Sequence, residues 1–229
     1  MSRWQIARLV AAKDLRIERR SRVVTNQVLP FAGVTMVMFA FALDASTVLE
    51  RVAPGLVWLA TLFSLLLLVQ RSFAVETDDG ALDALRVAGV DPVAIYWGKS
   101  LALAVELAAL EAVLLAAAVF LYGADVPLGG VVLLVATLLA ATSGLACVGT
   151  LYGGLTAGFS GRETLLPLLV LPVVAPVLIG ATRAVESALG TDGVALSEGW
   201  PWLGLLSVFA VSFGVVGALA FGPLIDEAA

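Results

Sequence analysis

Six apolar runs divide this chain: Val28 to Leu43, Pro54 to Val69, Val93 to Tyr122, Gly129 to Tyr152, Thr164 to Ala181 and Trp202 to Leu224. A helix must hold about 20 apolar residues to cross the hydrocarbon of a bilayer. The first two runs fall short of that and must extend into Thr25 to Gln27, Arg51 to Ala53 and Gln70. Lipid offers backbone N–H and C=O groups no water to bond, so a spanning segment is either helical or part of a closed barrel. A barrel would show ten-residue stretches of alternating hydrophobicity, which are absent. The expectation is an all-α integral membrane protein with six transmembrane helices. Composition agrees, with 61% apolar residues, 14% charged residues and a mean hydropathy of +1.04, outside the soluble range. The chain shows no internal repeat and no soluble domain, so residues 1–229 read as one transmembrane domain, with 28–224 as the six-span bundle.

The placement of charge gives the expected topology. Seven of the 13 Lys and Arg residues lie within residues 1–27: Arg3, Arg8, Lys13, Arg16, Arg19, Arg20 and Arg22. Arg71, Arg86, Lys99 and Arg162 fall in alternate loops on the same side, whereas only Arg51 and Arg183 fall on the other. Basic residues stay on the cytoplasmic side, so both termini are expected in the cytoplasm of a cell (inner or plasma) membrane protein. Residues 1–27 form a cytoplasmic anchor. Within it Arg3 to Arg22 reads as an interfacial helix of imperfect amphipathicity, since Ile6, Val10 and Ile17 share a face with Lys13. Trp4 would sit at headgroup depth, and the arginines would meet anionic lipid. Residues Leu43 to Ser46 make a weak cleavage site, so no signal cleavage is expected. A net charge of −5 argues against a nucleic-acid partner.

Several chemistries are disfavoured outright. There is no histidine, which removes the commonest general base and the commonest haem and metal ligand. Cys147 is the only cysteine and reads as a packing residue, so neither a disulfide nor a metal site is expected. Gly98, Lys99 and Ser100 look like the end of a phosphate-binding loop, but that motif needs glycine at position 93, where Val93 stands. The triplet instead places a lysine at a membrane boundary. No helix pairs a nucleophile with a base, so the chain is not expected to be an enzyme.

The loop over residues 71–92 is the most informative. It contains Glu76, Asp78, Asp79 and Gly80, then Leu82, Leu85 and Arg86 at helical spacing, and then Gly89, Asp91 and Pro92. Asp78 or Asp79 can cap a short helix that Gly89 and the Asp91-Pro92 pair would stop. Periodicity alone leaves a docking element and a plain connector both open.

Glu106 and Glu111 lie within the third run, where an ionisable group costs roughly 2.5 to 3.5 kcal/mol on insertion scales. Five residues apart, they point about 140° away from each other on a helix. Each is a candidate for a substrate pathway, for a pair with Arg162 or Arg183, or for a protonated carboxyl. Gly149 with Gly153, Gly154 with Gly158, and Gly214, Ala218 and Gly222 form small-residue stripes suited to close helix packing within the chain or across a dimer. Pro167, Pro172 and Pro176 interrupt the backbone hydrogen bonds of the fifth span, leaving groups that neighbours must satisfy.

Taken together, these residues resemble the CcmB family, the membrane permease of the cytochrome c maturation haem exporter, within the wider ABC-2-type permeases. Pro54, Gly55 and Trp58 open the second span as in that family, and Glu76 through Pro92 is similar to its acidic-Gly-x-Leu loop ending in proline. Lys99, the Gly149 to Arg162 segment, and Leu171 with Pro172 and Pro176 follow in the same order. Asp91 stands where the family more often has a neutral residue, and Arg162 stands alone where a longer basic-Gly-Gly run is usual.

The resemblance implies that residues 71–92 are a cytoplasmic coupling loop. It implies a dimeric permease bound to two copies of a CcmA-like ABC ATPase, with CcmC-like and small CcmD-like membrane subunits alongside. ATP would be used by the partner chain, haem would be the substrate delivered for c-type cytochrome biogenesis, and no cofactor would be held tightly by this chain. The same architecture would serve an ABC-2 permease for a lipid, drug or glycan, and a membrane scaffold without transport is the reading from a different class.

Overall fold

A computed structural model describes residues 2–22, 24–43, 46–78, 80, 84–85, 87–122, 127–157, 159 and 161–227. Among the described residues there is no strand, and the long helices are α1 (Arg3–Ser21), α2 (Leu29–Ala42), α3 (Ser46–Asp78), α4 (Pro92–Tyr122), α5 (Val131–Thr156), α6 (Arg162–Leu189) and α7 (Gly199–Glu227). Six segments are long and apolar enough to cross a bilayer: Val24–Ala42, Arg51–Ala74, Pro92–Leu121, Leu128–Thr156, Glu163–Leu189 and Leu196–Leu224.

The first helix is fixed at both ends by side chains. Ser2 and Gln5 form a capping box, with the Gln5 amide donating to Ser2 Oγ (3.3 Å) and the Ser2 amide donating to Gln5 Oε1 (2.9 Å). At the other end Arg22 adopts φ 52°, and Glu18 Oε1 accepts from the Val24 amide at 2.6 Å. That bond bridges the bend between α1 and a π-helical turn, Val24–Val28, that leads into α2.

The core is built around α5, which packs on α4, α6 and α7 and is buried almost continuously from Ala141 to Leu151. Glycines make this possible. A Cβ at Gly149 would lie 2.7 Å from Val69 Cγ2, one at Gly153 would lie 2.5 Å from the Phe73 ring, and one at Gly154 would strike Phe221. On α7, Gly214 receives Trp97 and Gly217 receives Tyr96, whose hydroxyl donates to the Phe213 carbonyl at 2.9 Å. These small residues are therefore spent on packing within the chain; Gly158 lies outside the described residues. α2 and α7 are the least buried spans.

Two elements run further than hydropathy suggests. α3 continues through Glu76 to Asp78, and α6 continues through Arg183 and Glu186 to Leu189. The connection expected over Thr182 to Pro201 therefore shrinks to two short 3₁₀ turns, Thr191–Gly193 and Leu196–Glu198. Three contacts hold it: Ser187 Oγ donates to the Ala195 carbonyl at 2.6 Å, Arg51 pairs with Asp192 at 2.6 Å, and Gly130 lies directly against the Ala188 carbonyl.

Candidate functional site

The end of the bundle that carries α1 holds the one buried lysine among the described residues. α1 lies along the first half of α4 through a narrow stripe of Ala7, Val10 and Ala11, three residues small enough to let the helices meet closely. The partner position is Gly98, where a Cβ would lie 2.6 Å from Val10 Cβ and 2.7 Å from the Ala7 carbonyl oxygen. Of the apolar set Ile6, Val10 and Ile17 that the sequence pattern offers, Val10 lies in this stripe and Ile17 is exposed.

Next to Gly98, Lys99 is 2% exposed. Its Nζ bonds Asp14 Oδ2 at 3.2 Å, approaches Ser72 Oγ at 3.4 Å and stands 4.8 Å from the centroid of the Phe73 ring. A buried ammonium needs such compensation, and here it is supplied from two separate elements, α1 and α3. Asp14 also accepts from Lys13 at 3.1 Å. A second tie closes the start of α4: Arg3 pairs with Asp91 at 2.5 Å, while Asp91 Oδ1 caps the helix by accepting from the Val93 amide at 2.9 Å. The phosphate-loop look-alike is thus a helix-docking site, with glycine for proximity and lysine for a cross-element bond.

This end also carries the loop between α3 and α4. Asp79, Leu82 and Arg86 lie outside the described residues, and Glu76 and Asp78 belong to the last turn of α3. Gly80 has φ +62°, and its carbonyl accepts from the Ala84 amide at 3.0 Å, so helical turning resumes after a break at that glycine. It ends in a Schellman closure, with Gly89 at φ +68° and the Val90 amide donating to the Leu85 carbonyl at 3.1 Å. The stop is Gly89 alone. Asp91 and Pro92, expected to share it, instead open α4, where proline at the first helical position gives up a hydrogen bond the helix end lacks anyway. Val87, on this turn, is 91% exposed.

The two glutamates of the third span separate as their spacing requires. Glu111 is buried between α4 and α5, accepting from Thr142 Oγ1 at 2.6 Å through Oε2, and its Oε1 has no partner among the described residues. Glu106 is half-buried and lines two cavities beside α1. Arg183 bonds Glu186 at 2.9 Å and reaches neither.

The prolines of α6 do not end the helix, which is continuous from Arg162 to Leu189. Pro167 cannot donate to the Glu163 carbonyl, and Gln70 Nε2 on α3 does so instead, at 3.1 Å. Gln70, like Asp14 and Ser72, was not singled out by pattern. Its signal lies in an amide side chain at a span end facing a proline helix, a pairing that only tertiary structure reveals.

At the other end of the bundle, Trp58 is buried beside an apolar cavity of about 180 Å³ walled by α3, α4, α5 and α6. Among the described residues no cluster of three or more His, Cys, Asp or Glu side chains could hold a metal.

Comparison with known proteins adds an independent line. Residues 5–226 match the family described as CcmB protein. "Heme exporter protein B" of Paracoccus denitrificans is 33% identical over 221 residues, covering 95% of this chain and 94% of that protein. The protein of the same name from Rhodobacter capsulatus is 31% identical over 190 residues, covering 82% and 85%, and that of Haemophilus influenzae is 29% identical over 228 residues, covering 96% and 95%.

Proposed function

Because the chain belongs to the CcmB protein family, we propose that it is the membrane-spanning permease of an ATP-driven haem exporter serving c-type cytochrome biogenesis, with ATP hydrolysed by a separate chain. Haem is the cargo of the assembly. With no histidine to ligate it, this permease would pass or release haem without holding it strongly. We place the protein in the inner membrane with both termini in the cytoplasm, a reading supported by the concentration of basic residues before Val24 and in alternate loops. Its partners in this reading are a CcmA-like ATPase, CcmC-like and CcmD-like membrane subunits and a second copy of itself.

The observation that carries the coupling role is the exposed turn between Gly80 and Gly89. It presents Val87 to solvent at the end of the bundle where α1 and α4 are locked through Lys99. A nucleotide-driven push on that turn would pass into α3 and α4 as rigid elements and through Lys99 into α1. Glu76, Asp78, Asp79, Gly80, Leu82, Leu85, Arg86 and Pro92 form the proposed coupling segment. Of the two pathway candidates, Glu106 keeps that role because it faces open cavities, and Glu111 serves helix packing through Thr142.

The test is purification from native membrane in mild detergent, with mass spectrometry of partners and an ATPase assay, alongside Gly80→Pro and Leu82→Asp. Both variants are expected to insert normally while uncoupling ATP hydrolysis from cytochrome assembly. Normal assembly in both would sink the coupling role. Recovery of an ATPase without cytochrome maturation proteins would favour an ABC-2 permease of another substrate, and recovery of no ATPase would favour the scaffold.

A further inference from the structure

The groove beside Glu106 combines three features. Its rim carries Arg19 and Arg22, its floor carries Glu106, and its apolar wall is Leu15, Val24, Val105 and Ala109, enclosing roughly 570 Å³. It lies where α1 ends and the segment from Val24, long and apolar enough to cross a bilayer, begins, alongside the span Pro92–Leu121. Glu18, the other acid of the groove, is already engaged by the Val24 amide and the Ser21 hydroxyl. The side chains of Glu106, Arg19 and Arg22 have no hydrogen bond or ion pair among the described residues. The neighbouring narrow cavity brings Asp14 and Arg71 near the far side of Glu106.

We propose that this groove binds a phospholipid whose headgroup carries a primary amine, with Arg19 and Arg22 on the phosphate, Glu106 on the ammonium and an acyl chain along Val105 and Ala109. The balance of charge selects this occupant. An anionic headgroup would satisfy the arginines and leave Glu106 uncompensated, whereas a quaternary ammonium has no N–H to donate to the carboxylate. A primary amine satisfies both signs. The sequence alone suggested arginines meeting anionic lipid; a carboxylate among them changes the chemistry they select. The inference rests on the chain lying in a bilayer and not on the identity of the transported substrate.

The full-length chain in detergent would be titrated with phosphatidylethanolamine, phosphatidylcholine and phosphatidylglycerol of identical acyl composition, and bound lipid read by native mass spectrometry. Phosphatidylethanolamine is expected to be retained about threefold over either competitor, the scale of one half-exposed ion pair. Glu106→Gln should erase the preference over phosphatidylcholine while total lipid binding persists, and Arg19→Gln with Arg22→Gln should lower retention of all three. Equal retention of the three lipids by the wild-type chain, a comparison that needs no variant, overturns the proposal. Preferential retention of phosphatidylglycerol, or an undiminished preference in Glu106→Gln, overturns it as well. Haem delivery and ATPase coupling enter none of these readouts, so failure here leaves the exporter reading standing.

Discussion

Lys99 shows what one residue can do when its surroundings are built for it. A lysine at 2% exposure keeps its charge only with a counter-ion close by, and Asp14 supplies one from a different helix. Replacing it by Lys99→Met removes that bond and should loosen α1 from α4, at a destabilisation of about 3 kcal/mol, the scale for breaking a buried pair. Trypsin accessibility of the arginines of α1 in oriented membrane vesicles would read this, with faster cleavage expected than in wild type. Gly98→Val should give the same cleavage pattern with every charge intact, because its side chain would enter the space of Val10 and the Ala7 carbonyl. Unchanged protection in both variants would mean that α1 is held elsewhere. In the sequence Lys99 stood out as a basic residue near a span boundary, in a phosphate-loop look-alike and in the family's order of residues, none of which discloses its partner. Its partner is 85 positions away, and the alanine stripe that brings them together carries too little hydrophobicity to stand out from the rest of α1.

At the scale of the helix, the six spans were legible because lipid imposes a length and a polarity that few sequences meet by chance. Their ends were less so. Hydropathy reports where the hydrocarbon stops, not where the helix stops, and α3 and α6 carry their backbone ladders past Arg71 and Arg183 into polar sequence. The loop motif was legible in its glycines, and misread at Pro92, because a proline marks a helix start as readily as a helix stop. The support of α6 by Gln70 makes a pairwise prediction. Gln70→Leu should leave the Glu163 carbonyl without its donor and lower thermal stability in detergent by the equivalent of about 1 kcal/mol. Pro167→Ala restores an intrahelical donor, so in that background Gln70→Leu should cost much less. Additive effects in this double-mutant cycle would show that the amide bond contributes nothing.

For the molecule as a whole, the small-residue stripes of α5 and α7 are occupied by Val69, Phe73, Phe221, Trp97 and Tyr96, so close packing is completed inside one chain. At the α1 end, the turn carries Val87 exposed to solvent. Val87→Asp should weaken capture of the ATPase in pull-downs severalfold and leave the protein's elution and helicity unchanged, whereas full capture would move the docking surface away from this turn. The bond between Asp14 and Lys99 also sets an order of events in biosynthesis. At ribosomal rates of about 5 to 20 residues per second, Asp14 leaves the synthesis machinery on the order of ten seconds before Lys99. During that interval α1 has no α4 to dock on, and in the proposed topology the seven cations of residues 1–27 would hold it at the membrane surface until the third span arrives.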